Sequence, residues 1–76
     1  MEFKSFIQFF ADQFEDTDAS VFTPQTKFRE LEEWSSLAAL AILAMIDEEY
    51  DIQVSPKEMR ETNTIQELFD LVASKA

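Results

Sequence analysis

Ser35-Ser36-Leu37-Ala38-Ala39-Leu40-Ala41-Ile42-Leu43-Ala44-Met45-Ile46-Asp47-Glu48-Glu49-Tyr50-Asp51 is the stretch on which the reading of this chain turns. Its apolar run, Leu37 to Ile46, is ten residues long. That is too short for a bilayer, and three carboxylates follow directly. Leu37, Leu40, Leu43, Ile46 and Tyr50 recur at steps of three and four, the period of a helix. Four alanines between them favour helix and add little bulk. The stretch therefore predicts a helix over residues 36–50, either mostly buried or showing an apolar flank to something else. Ser36 stands at its start and is expected to serve as the N-cap.

Three further helices are expected around it. Phe3, Phe6, Ile7, Phe10 and Phe14 fall on one helical stripe and predict a helix over residues 2–16. Ser55-Pro56-Lys57-Glu58 is a capping box with proline at the first helical position, and it opens a short helix that ends near Glu61. Thr64-Ile65-Gln66-Glu67 is a second box, opening a last helix with Ile65, Leu68, Phe69 and Val72 on its buried stripe. Residues 17–35 read as a long loop, because Thr23-Pro24 and the Asp16-Thr17-Asp18 turn formers interrupt any period. Val21, Phe22, Phe28, Leu31 and Trp34 within it are expected to fold onto the core. No run alternates like a strand. The fold class is all-α, a small four-helix bundle of three main helices and one short one, in a single domain over residues 1–76.

Composition narrows the chemistry. The chain has 76 residues, no cysteine, no histidine and no glycine. No thiolate nucleophile, disulfide or imidazole base is available, which argues against an enzyme. The net charge is −10, the wrong sign for nucleic acid or an anionic membrane. Residues 30–51 hold seven carboxylates and no cation, so a basic partner is expected there. Asp16, Asp18 and Ser20 have the first spacings of a calcium loop. Val21 and Lys27 occupy the positions that need glycine and glutamate, so no metal site is expected. The carboxylate pair Glu32/Glu33 offers nothing beyond surface charge. A cytoplasmic monomer is the expected state.

From Phe28 to Val72 the chain resembles the acyl carrier protein family. Ser36-Leu37, Asp47-Glu48-Glu49-Tyr50-Asp51, Ser55-Pro56 and Thr62-Asn63-Thr64-Ile65 fall in that family's order, and Phe28 and Leu31 resemble its loop anchors. The resemblance implies that Ser36 carries 4′-phosphopantetheine, whose thiol holds acyl or aminoacyl groups as thioesters. It implies as partners a phosphopantetheinyl transferase and acyl-processing enzymes with basic docking surfaces, in fatty acid, polyketide or related biosynthesis. Leu37, Ala38, Ala41, Asp47 and Glu48 would form the docking face. The family's usual aspartate before the serine is here Ser35. Acidic residues frequent two and five places after the serine are here Ala38 and Ala41, so docking near Ser36 should be more apolar. A carrier fold that kept only protein-interaction duties, without the arm, is the alternative. An unrelated acidic helical adaptor would explain the composition but not the ordered motifs. An acyl chain could be sheltered among Leu40, Ile42, Leu43, Ile46, Met59, Ile65, Leu68 and Leu71.

Overall fold

The computed structural model describes residues 1–76 as four α-helices, with no strand. They are α1 (Phe3–Ala11), α2 (Ser36–Tyr50), α3 (Pro56–Arg60) and α4 (Ile65–Ser74). Two 3-10 turns, Ala19–Val21 and Phe28–Glu30, punctuate the long loop between α1 and α2. No helix is long and apolar enough to cross a membrane.

The helix starts follow from local chemistry. Both expected capping boxes are formed: Ser55 with Glu58 at α3, and Thr64 with Glu67 at α4. Each satisfies two backbone N–H groups that a helix start leaves without partners. α1 is shorter than the predicted residues 2–16. Beyond Ala11 the chain tightens, with the amides of Gln13 and Phe14 donating to the carbonyls of Phe10 and Ala11. Phe14 still reaches the core from this turn and is 6% exposed, so the apolar stripe outlasts the helix that it announces. α2 ends at Asp51, whose φ of 54° is left-handed. In a chain without glycine an aspartate takes this position, at some steric cost.

An aromatic spine fills the core. Phe6, Phe10 and Phe28 are fully buried, with Phe14 and Phe22 nearly so. Phe10 lies 5.6 to 6.1 Å from the rings of Phe14, Phe22 and Phe28. Burying each such side chain contributes roughly 1.5–3 kcal/mol. Ile42 and Ile46 of α2 meet Ile65, Leu68 and Val72 of α4 in the same cluster. The spine explains why so long a loop is ordered: Phe22 and Phe28 anchor it from below. Backbone bonds tie it from the side, from Ile65 N to the Thr26 carbonyl at 3.1 Å and from Gln66 N to that of Pro24 at 3.0 Å. Of the five loop residues expected on the core, Val21 alone is exposed.

Candidate functional site

The junction of the loop with α2 is held on three sides. Trp34 packs against Phe28 at 5.1 Å between ring centroids and donates its amide to the Leu31 carbonyl. Glu33 accepts from the amide of Asp16 at 3.1 Å and from the hydroxyl of Thr17. This carboxylate, expected as plain surface charge, is a structural clasp joining the two ends of the loop. Asp18, the would-be calcium ligand, caps the first 3-10 turn by accepting from Ser20 N at 2.8 Å.

The two adjacent serines have different jobs. Ser35, not Ser36, is the N-cap of α2. Its backbone is extended, and its Oγ accepts from the Ala38 amide at 3.1 Å. Ser36 is the first helical residue, and its exposed hydroxyl is engaged by no other group of the chain. The expectation that Ser36 caps the helix is therefore corrected by one residue. The correction has a chemical consequence, because the capping oxygen is occupied and the next one is free. The amides of Ser36 and Leu37, which have no carbonyl partner within the helix, give this end of α2 its positive potential. Ser36 Oγ is thus an oxygen whose substitution would displace no hydrogen bond of the fold, at a helix end that favours an anion.

Beside Ser36 opens a cleft of about 500 Å³. Trp34, Ser35, Ser36, Ala39, Leu40 and Leu43 line one side, and Pro56, Met59 and Arg60 of α3 the other, with Arg29 from the loop. Of the residues expected to shelter an acyl chain, Leu40, Leu43 and Met59 lie here. Ile42, Ile46, Ile65 and Leu68 are instead fully buried in the close-packed core, which leaves no room among them. The opening lies between α2 and α3, because α3 is only five residues long and covers α2 incompletely.

α2 is apolar on two faces. Ile42, Met45 and Ile46 face the core, while Leu37 is 77% and Leu40 59% exposed. At 100° per residue, Leu37, Leu40, Ala41, Ala44, Asp47 and Glu48 fall within one arc of the helix. This outward stripe begins apolar and ends acidic. Four of the five expected docking residues lie on it; Ala38 does not, being half-buried against the core. Leu40 and Ala44 join it. Sequence periodicity could not separate the two faces, since both are apolar at helical spacing.

Arg29 was not singled out by its sequence context. Its guanidinium donates to the carbonyls of Met59 and Thr62 and to Asn63 Oδ1, and lies 5.0 Å over the Phe28 ring. It thus ties the loop to the α3–α4 link. Nearby, Glu67 is held below the usual carboxylate range by the amides of Asn63 and Thr64, with a smaller contribution from Arg29.

Among known families, the chain matches the model described as a phosphopantetheine attachment site, over residues 5–72. No curated protein and no solved structure matches it.

Proposed function

The chain belongs to the phosphopantetheine attachment site family and is a carrier of covalently bound 4′-phosphopantetheine; on that premise we propose that Ser36 is the attachment residue and that the cargo is an acyl intermediate of fatty acid, polyketide or related biosynthesis. The observation that carries the site assignment is the division of labour between the serines. Ser35 Oγ is committed to the helix cap, and Ser36 Oγ is exposed and unengaged beside the cleft.

The prosthetic group, when bound, supplies the thiol that holds the acyl group as a thioester, which a chain without cysteine cannot supply itself. The residues of this chain do the rest. Ser36 offers the nucleophilic oxygen: its bond to the phosphorus of coenzyme A forms as the bond to adenosine 3′,5′-bisphosphate breaks, and the hydroxyl proton is released, with no imidazole in this chain to receive it. The α2 amides favour the phosphodiester negative charge. Leu40, Leu43 and Met59 give the cleft an apolar floor that suits an alkyl chain better than a charged one.

Carrier domains of this kind are not themselves catalytic and act by visiting partner enzymes. The outward stripe of α2 is the docking face in this reading. Leu37, Leu40 and Ala41 beside Ser36 offer apolar contact, and Asp47 and Glu48 offer attraction to basic partner surfaces. Incubation with coenzyme A and a broad-specificity phosphopantetheinyl transferase tests the proposal. The intact mass should rise by one phosphopantetheine and not by two. A chain unchanged by several such transferases would favour a fold kept for protein interaction alone.

A further inference from the structure

The charge around the cleft runs against that of the molecule. The chain has 16 acidic and six basic residues. The ten residues lining the cleft include two arginines, Arg29 and Arg60, and no carboxylate. Neither arginine makes an ion pair; the chain's one ion pair joins Lys75 to Glu58 at 2.7 Å. The Arg29 guanidinium is fixed by neutral oxygens and is felt by Glu67. Arg60 sits at the end of α3, exposed, with no hydrogen-bond partner in the chain. Two cations thus share a recess with the free Ser36 hydroxyl, in a protein whose general field repels anions.

We propose that Arg60, backed by Arg29, holds the phosphodiester of the arm attached at Ser36 and so lays the start of that arm along the cleft, against Leu40, Leu43 and Met59. The inference rests on the attachment reading above. It makes Arg60 a determinant of where the arm lies. The guanidinium is suited to the task, since it presents several N–H donors in a plane that matches phosphate oxygens. Arg60 and Ser36 line the same cleft of about 500 Å³. Arg29 supplies a fixed positive wall, while Arg60, unengaged, is free to close on the anion.

The size of one measurable quantity, and its dependence on Arg60, distinguish this from an arm that swings free. Adding a negative group to a chain of net charge −10 lowers its stability unless a cation or the helix end receives it. Thermal melts of the apo and loaded chain should be compared at low and high salt, with loading verified by intact mass. The loaded wild type is expected to melt about 2–4 °C above the apo chain at low salt, with the gain shrinking as salt screens the contact. Arg60→Gln should lose more than half of that gain, the helix end supplying the remainder, and Arg60→Lys should keep part of it. Trp34, which lines the cleft, should change its fluorescence on loading in the wild type and less so in Arg60→Gln. A loaded Arg60→Gln chain with the full wild-type gain, or a loaded wild type that melts no higher than apo, overturns the proposal. A chain that takes no arm at all overturns the attachment reading, and this proposal with it.

Discussion

Replacing Ser35 with alanine removes the oxygen that receives the Ala38 amide at 3.1 Å and leaves that N–H without a partner in the chain. Loss of a serine N-cap costs about 1 kcal/mol, within a range of roughly 0.5–2. In a domain of this size each kcal/mol moves the melting temperature by about 4–8 °C, so Ser35→Ala should melt lower by several degrees. Ser36→Ala deletes an exposed hydroxyl with no partner and should stay within about 0.5 kcal/mol of the wild type. Ser35→Asp keeps a capping oxygen and puts a charge at the favourable end of α2, worth about 0.3–1 kcal/mol at low ionic strength. Repulsion from Glu32 and Glu33 opposes it, and Glu33 is already held by Asp16 and Thr17. This variant should melt at or above the wild type, and it should also load faster, since it restores the residue usual before the serine. Apo-chain melts by circular dichroism, with transferase rates beside them, read all three. If Ser36→Ala costs as much as Ser35→Ala, the division of labour between the two serines is wrong.

Asp51→Gly should stabilise the chain by about 0.5–1 kcal/mol, because it relieves the left-handed conformation and removes a carboxylate from the negative end of α2; a lower melting temperature would contradict this. Glu58 is lowered from the usual 4.5 to about 2 by Lys75 first and then by the Ser55 amide. A depressed folded-state value means that the contact stabilises above pH 4.5 and is lost as pH falls toward 2. Glu58→Gln should therefore melt below the wild type at pH 7, with the gap closing between pH 4.5 and 2, and a gap independent of pH would remove the pair from the account. Loaded carriers bearing acetyl, hexanoyl and decanoyl groups should melt progressively higher, since each methylene fully removed from water stabilises by roughly 0.8 kcal/mol. Leu43→Ser should flatten that series, and a flat series in the wild type would argue against shelter in the cleft.

Local signals were the most legible part of the sequence. Ser55 acts with Glu58 and Thr64 with Glu67, each pair three residues apart, so both boxes can be read without tertiary knowledge. The all-α class followed from the same short-range patterns. The apolar stripe runs past the end of α1 because Phe14 continues it from a turn, where core packing rather than helix geometry directs it inward. Two faces of α2 looked like one, since Leu37 and Leu40 are as apolar as Ile42 and Ile46 although they point to solvent. Which serine caps α2 is not legible in the sequence, because Ser35 and Ser36 are chemically identical and only backbone geometry distinguishes them. Arg29 and Arg60 stand 31 positions apart on different elements, and no spacing rule announces that they wall one cleft.

Fragmentation mass spectrometry of the chain after loading from coenzyme A bears most directly on the central claim. The phosphopantetheine should be found on Ser36 alone, with Ser35 unmodified, and Ser36→Ala should take up none while remaining folded. A group on Ser35, or loading that persists in folded Ser36→Ala, would contradict the account.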